Sequence, residues 1–190
     1  TLRAVGLSLA WMTVTAPRYL DAGFWDDASH AELTLTARMR NDAGPWRWRA
    51  TASAAGGLQS GAAADEGAYG RVTAEAAARR AVGRRLTLGG RAFGGAVVGR
   101  EVVAQRQLYL AGADPVERFA SPFLRSEGSL FTSPDLRYHA PGGAGVRGLE
   151  PHLAASTALG ASLEAEYALV RTVGEALVNR VAIAAFWDGA

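Results

Sequence analysis

Polar and apolar residues alternate with a period of two along most of the chain. Between residues 31 and 40, Leu33 and Leu35 fall on one face of an extended segment, whereas Glu32 and Arg38 fall on the other. A helix would scatter these two sets around its surface, but a β-strand separates them cleanly. This segment is therefore predicted to be a β-strand.

The same alternation recurs in six further segments, so the sequence predicts seven strands in an all-β, antiparallel fold. The turn-forming residues Asn41, Asp42 and Gly44 follow the second strand, which indicates a hairpin. None of the seven prolines lies within a predicted strand, which agrees with pairing throughout the sheet. The predicted strands cover residues 5–11, 31–40, 46–54, 71–79, 85–92, 159–167 and 180–188.

The predicted connections alternate between short and long. The short or modest connections cover residues 41–44, 80–83 and 172–178. The long connections cover residues 16–30, 59–67 and 100–153. Short turns at one rim and long loops at the other are typical of outer-membrane β-barrels. We therefore expect a partial transmembrane barrel of about seven strands over residues 1–190. A soluble β-sandwich that acts as a binding module remains the alternative, because its sheets alternate in the same way.

Composition excludes several classes of site. The chain has no cysteine, which excludes a disulfide scaffold, a thiolate metal site and a cysteine nucleophile. His30, His139 and His152 lack the spacing of metal ligands, and we interpret them as loop residues. The sequence contains no Gly-x-Ser-x-Gly elbow. We therefore expect no metal, no cofactor and no enzymatic activity.

All twenty basic residues are arginines, yet the net charge is only +2, which gives no reason to expect a nucleic-acid partner. Many of these arginines fall on the polar face of the predicted strands. They could form a cationic lining that attracts anionic solutes or polypeptide segments. We favour a balanced polar wall instead, because glutamates share that face. The arginines on this face are Arg38, Arg40, Arg47, Arg49, Arg71, Arg85 and Arg91. The glutamates are Glu32, Glu75, Glu164 and Glu166.

The segment from Arg100 to Leu153 is too long for a simple connection, because structureless loops beyond ~12–15 residues are usually functional or disordered. It contains a glycine-rich stretch followed by Val-Arg-Gly. This stretch resembles the signature of the BamA and FhaC superfamily of outer-membrane barrels, the bacterial surface antigen family. The residues that carry the resemblance are Gly142, Gly143, Val146, Arg147 and Gly148.

Two further motifs resemble the same family and follow in the same order. The strand 163–167, with Glu164 and Glu166, is similar to the glutamate-bearing strand that follows the family's loop. Phe186, Asp188 and Gly189 are similar to its Phe-x-Asp-x-Gly strand motif, although the final glycine is replaced by alanine. The resemblance covers roughly the last third of the chain.

The resemblance implies a structure and a mechanism for the long loop. In the family this loop folds back into the barrel lumen, and acidic residues on the inner wall hold the arginine. By position, Arg147 is expected to contact Asp188 and Glu166. An arginine–carboxylate contact of this kind is strong and directional in an enclosed lumen. The glycines permit tight turns and close approach to the wall.

The function implied by the resemblance is insertion or translocation of polypeptides at the bacterial outer membrane, without catalysis. The expected partners are outer-membrane lipid, an unfolded or secreted polypeptide and, on the same chain, periplasmic modules. A barrel that serves as an anchor or pore for a periplasmic enzyme domain is an alternative. Seven strands with two free edges cannot satisfy their backbone in lipid, so we expect the sequence to be part of a larger barrel.

Overall fold

Seven long strands form one antiparallel sheet in the computed structural model, which describes residues 2–15, 24–61, 64–111, 115–116, 144–146, 149–150, 152–171 and 180–190. In chain order the strands of this sheet are β1 (Leu2–Val14), β2 (Ala28–Asn41), β3 (Trp46–Gly61), β4 (Ala64–Val82), β5 (Leu86–Gly99), β8 (Thr157–Arg171) and β9 (Arg180–Gly189). Two short strands, β6 (Leu108–Tyr109) and β7 (Ala154–Ala155), pair separately. Each long strand pairs with its neighbours in chain order, except that β5 pairs with β8.

The seven predicted strands are confirmed in the large sheet, except that Arg85, predicted to begin the fifth, lies in the turn before β5. The long connection predicted over residues 59–67 is wrong, because β3 continues to Gly61 and β4 begins at Ala64. Small residues keep the strands paired here although the apolar alternation has ended. A Cβ at Gly57 would lie 2.5 Å from the Tyr69 ring, so the ring occupies the space above this glycine.

The turn predicted over residues 80–83 lies slightly later in the chain. Residues 80–82 still belong to β4, where Val82 pairs with Leu86. Gly83 follows with a positive φ of 70°, a backbone conformation that glycine adopts without steric cost. The hairpin therefore turns over residues 83–85.

The sheet is open. Among the described strands, β1 pairs only with β2 and β9 pairs only with β8, so no pairing joins the two edges. In the part of the chain that the structure describes, no helix is long and apolar enough to cross a bilayer.

The two faces of the sheet differ sharply in character. One face, which we call the apolar face, exposes large hydrophobic side chains; Leu9 and Trp11 are 79% and 81% exposed. The other face, the polar face, carries charged and amide side chains, and six of those that the structure describes are buried. The exposed residues of the apolar face include Leu7, Leu9, Leu33, Leu35, Leu58, Val72, Leu159, Leu163 and Ile183. The buried residues of the polar face include Glu32, Arg49, Gln59, Arg91, Glu164 and Glu166. A soluble sheet shows the opposite distribution, with its apolar face against a core.

The chain folds back over the polar face immediately after β5. Gly99 has a φ of 154°, and a Cβ there would lie 2.8 Å from the Val102 side chain, so this sharp bend requires glycine. Glu101 also has a positive φ, of 44°. Residues 100–110, which we call the covering segment, then lie against the polar face and include a 3-10 turn at Ala104–Arg106.

Candidate functional site

Arg106 of the covering segment forms a buried ion pair with β2. Its Nη2 lies 3.3 Å from Oε1 of Glu32, and its Nε donates a hydrogen bond of 3.0 Å to Nε2 of His30. Glu32 also accepts hydrogen bonds from the hydroxyls of Tyr69 and Thr34, each at 2.9 Å. Glu32 and Arg106 are each 6% exposed, so solvent screens their attraction weakly.

The contact with Arg106 also fixes the tautomer of His30. Because Nε2 accepts a hydrogen bond from the Arg106 guanidinium, this nitrogen carries no hydrogen, and the contact requires the tautomer with its hydrogen on Nδ1. The sequence placed His30 in a loop, and this prediction is wrong: the residue lies within β2 and is 2% exposed. Its position in the alternating pattern, two residues before Glu32, puts it on the polar face.

Gln59 of β3 holds the beginning of the covering segment through its side-chain amide. Nε2 donates to the backbone oxygens of Arg100 and Glu101, at 3.2 and 2.9 Å. Oε1 accepts a hydrogen bond of 3.3 Å from the backbone N–H of Val103. One buried amide therefore satisfies three backbone groups at the bend, which would otherwise be costly to bury.

Asp26 holds the 3-10 turn from its other side. Its carboxylate accepts a hydrogen bond of 2.6 Å from the backbone N–H of Ala104. Its own N–H donates to Oε1 of Gln105 at 3.0 Å. The hydroxyl of Tyr109 donates to the carbonyl of Ala104 at 2.8 Å, which closes the turn within the covering segment itself.

A second buried ionic cluster lies across β3, β4 and β5. Glu75 lies 3.1 Å from Nη2 of Arg49 and 3.2 Å from Nη2 of Arg91, so its two oxygens bridge two arginines. The side chain of Arg91 is fully buried, and its Nη1 donates to the carbonyl of Ala144. This cluster thus holds residues 144–146, which we call the return segment, against the sheet.

Small residues let both segments approach the sheet closely. A Cβ at Gly160 would lie 2.9 Å from that of Ala144, and a Cβ at Gly95 would lie 3.0 Å from the Leu108 side chain. The return segment also joins the covering segment, because the N–H of Ala144 donates to the carbonyl of Tyr109 at 2.8 Å. The two segments and the polar face form a single packed layer, with a small apolar cluster at Phe93, Val97, Leu108, Ala144, Val146 and Ala158.

The arginine contact predicted from the family resemblance stays a prediction. Arg147, Gly142, Gly143 and Gly148 lie outside the described residues. Val146 is described, and it is buried in the apolar cluster of the return segment.

The other predicted site residues lie on the last two strands. Glu166 and Asp188 both belong to the polar face, as the alternation predicts. Asp188 of β9 pairs with Ser162 of β8, which lies four positions from Glu166 on the same strand. The Cα atoms of Asp188 and Glu166 are therefore separated by roughly 14 Å. Phe186 lies opposite Glu164, and a Cβ at Gly189 would meet the Trp187 ring at 2.8 Å.

Arg106 and Gln59 hold the long loop, although neither was predicted to have this role from the sequence. Arg106 belongs to a segment without periodicity, so no pattern distinguishes it from the other loop arginines. Gln59 follows a glycine pair near the end of β3, but it continues the polar phase of that strand. An amide in that phase is the one sequence signal that could have indicated a buried anchor.

No family model matches the chain, and no curated protein or solved structure matches it. The geometry of the two faces, and of the segments packed on one of them, is what indicates a function.

Proposed function

We propose that the chain forms part of the wall of a transmembrane β-barrel in the bacterial outer membrane, with the apolar face towards lipid. The observation that carries this proposal is the inverted arrangement of the sheet. Large apolar side chains are exposed on one face across all seven strands, while charged side chains such as Glu32 and Arg91 are buried on the other face, in contact with the covering and return segments. A membrane barrel has this arrangement, because its solvent on the outside is hydrocarbon and its interior is polar.

The length of the apolar stripe on β3 supports the proposal. It extends from Trp48 to Leu58, which corresponds to ~33 Å along the strand. In a barrel whose strands tilt by about 45°, this stripe would cover ~23 Å along the membrane normal. The apolar band of outer-membrane barrels is about 25 Å tall. Trp46 and Trp48 lie at one end of this stripe, and Trp11 lies at the level of its other end.

The proposed activity is insertion or translocation of polypeptides, and the covering and return segments would occupy the lumen. The support for this step is the resemblance of residues 142–148 to the signature loop of the bacterial surface antigen family. The return segment, which lies within that stretch, packs on the polar face where the family's loop would lie. In this arrangement the loop braces the lumen and holds the barrel in its working conformation.

A pair of substitutions on the apolar face of β4 tests the membrane proposal. Val72 is half exposed and lies mid-strand, whereas Ala78 lies on the same face near the strand end. In lipid, Val72→Arg should lower the free energy of unfolding by ~2–4 kcal/mol and Ala78→Arg by ~0–1 kcal/mol. In water, the free energy of unfolding of both variants should stay within about 0.5 kcal/mol of that of the parent chain. The measurement is reversible unfolding in phospholipid vesicles.

The depth dependence separates the alternatives. Equal small effects, together with a monomer that stays in solution without detergent, would support the soluble β-sandwich and contradict the membrane proposal. A depth-dependent cost with a chain that extracts only in detergent, and that changes its gel mobility on heating, is the expected outcome. An enzymatic activity in the same full-length chain would then favour the anchor or pore role over translocation.

Arg147→Ala tests the translocation step. If the loop braces the lumen, this substitution should lower assembly or secretion activity and make the loop sensitive to protease. Arg137→Ala, in the same stretch of sequence, is the control and should leave both unchanged. Unchanged activity and protection in Arg147→Ala would contradict the proposed role of the loop.

A further inference from the structure

The polar face carries a concentrated group of arginines at the end of the sheet where short turns join β2 to β3 and β4 to β5. We call Arg38, Arg40, Arg47, Arg49 and Arg79 the arginine patch. Next to the patch the polar face carries the carboxylates of Asp42 and Glu75, and Glu164 and Glu166 lie at the same end of the sheet on β8. Oδ2 of Asp42 lies 3.4 Å from Nε of Arg40, and Glu75 forms an ion pair with Arg49. Arginines therefore outnumber carboxylates on β2 to β4 at this end of the sheet.

The strand register places like charges directly opposite each other in the patch. Arg40 of β2 pairs with Arg49 of β3, and Arg47 of β3 pairs with Arg79 of β4. Like charges at directly opposed positions destabilise a sheet. Arg171 and Arg180 of β8 and β9 form one further pair of this kind, but among the described strands two such pairs in adjacent rows occur at the patch alone. Departures of this kind from local rules concentrate at functional sites.

We propose that the arginine patch binds an acidic segment of polypeptide in extended conformation. This inference rests on the proposed function and adds the chemical class of the substrate. Guanidinium groups recognise carboxylates through paired hydrogen bonds, and the chain contains arginine without any lysine. Arg38, Arg40 and Arg47 are exposed, so a ligand can reach them.

The spacing of the patch matches an extended peptide. Along β2, Arg38 and Arg40 are two residues apart, as are Arg47 and Arg49 along β3, which corresponds to about 6.8 Å in each case. Acidic side chains at every second position of an extended peptide have the same separation. A peptide lying parallel to these strands therefore presents carboxylates in register with successive rows of arginines.

Position favours a polypeptide over a lipid headgroup. The patch lies on the face opposite the exposed hydrophobic side chains, which lipid would cover. Two other arginines at the same end, Arg3 and Arg80, lie on the apolar face, where Arg80 stacks at 5.5 Å from the Trp46 ring. Those two arginines suit lipid phosphates, and they provide a matched control for the patch.

The test measures binding of a fluorescent twelve-residue peptide of alternating glutamate and threonine to the full chain in neutral detergent. Arg47→Gln/Arg79→Gln should weaken binding by about 5- to 30-fold, since each exposed charge pair contributes up to about a factor of five. Arg3→Gln/Arg80→Gln, with the same net charge, should change it by less than about twofold. A peptide with glutamine in place of glutamate should not bind. The affinity should fall as salt is raised.

The stability of the variants separates binding from folding. Arg47→Gln/Arg79→Gln relieves a repulsion, so its melting temperature should equal or exceed that of the parent chain. Equal loss of peptide binding in both double variants, or no loss in either, would overturn the proposal. Binding of anionic phospholipid vesicles through Arg47 and Arg79, without peptide binding, would overturn it in favour of a lipid site. Because the assay uses detergent, failure of membrane insertion and failure of peptide binding remain distinguishable.

Discussion

Replacing Arg106 with methionine should release the covering segment while leaving the large sheet intact. Methionine keeps the aliphatic bulk of the side chain and removes the guanidinium that contacts Glu32 and His30. Glu32 then remains buried with hydrogen bonds from Tyr69 and Thr34 but without its counter-charge. The substitution therefore weakens mainly the contact between the covering segment and β2.

The structure sets the magnitude of this effect. Removing one partner of a buried ion pair costs about 3–5 kcal/mol when the remaining charge has no compensation. Here two hydroxyl donors stay on Glu32, so a cost of about 2–4 kcal/mol is expected. If this cost falls on local opening, the opening equilibrium rises by roughly 30- to 700-fold.

Amide hydrogen exchange measures this opening residue by residue. The N–H groups of Val103, Ala104 and Leu110 are hydrogen-bonded within or against the covering segment and report on it directly. Their exchange should accelerate in Arg106→Met, while amides in the centre of β3 and β4 keep the parent rates. Arg85→Met, at an exposed turn position on the opposite end of the sheet, is the control and should change neither set.

A double-mutant cycle completes the test. Glu32→Gln removes the buried charge that Arg106→Met leaves behind, so the combined variant should cost less than the sum of the two single variants by about 1 kcal/mol or more. Additive costs, or exchange that accelerates equally in the sheet and in the covering segment, would refute the idea that this ion pair holds the segment locally.

Three further substitutions probe the other contacts of the two packed segments. Gly160→Ala places a methyl group against the return segment and should lower the free energy of unfolding by about 1–3 kcal/mol, whereas Gly6→Ala, with open space around it, should not lower it; chemical denaturation measures both. Gln59→Leu leaves three backbone groups at the bend without their partner and should destabilise the covering segment by about 2–4 kcal/mol, which hydrogen exchange at the bend would detect. Glu75→Gln leaves two buried arginines without their shared carboxylate and should cost about 3 kcal/mol in thermal or chemical unfolding, while the exposed Glu66→Gln should be neutral; equal effects of the two glutamate variants would contradict the role assigned to the cluster.

The sequence predicted the sheet well because the sheet depends on local alternation. Leu33, Leu35 and Glu32 report the two faces of β2 directly, and the same holds for each of the other long strands. The prediction failed at the junction of β3 and β4, where Gly56, Gly57 and Gly61 interrupt the alternation. There the Tyr69 ring lies above Gly57, its partner in register, a contact between strands that no periodicity within one strand reveals.

The buried contacts of the long loop could not be predicted for a different physical reason. Arg106 and Glu32 are separated by more than seventy positions in the chain, and their pairing depends on how the chain bends after Gly99. The sequence identified Glu32 and Glu75 as polar-face charges but could not assign their partners. Only the path of the covering segment brings the guanidinium of Arg106 within 3.3 Å of a carboxylate oxygen of Glu32.

The order of strands has a consequence for how the chain folds. The first five strands pair in chain order, and two of their connections are turns of three or four residues. Each of these strands can therefore pair with the preceding one at a small cost in chain entropy. The pairing of β5 with β8 must instead close a loop of ~57 residues, which costs about 2 kcal/mol more than closing a four-residue turn. A nucleus of β1 to β5 should therefore form first, and the covering segment, anchored early on β2 and β3, shortens the loop that remains to be closed before β8 and β9 can join.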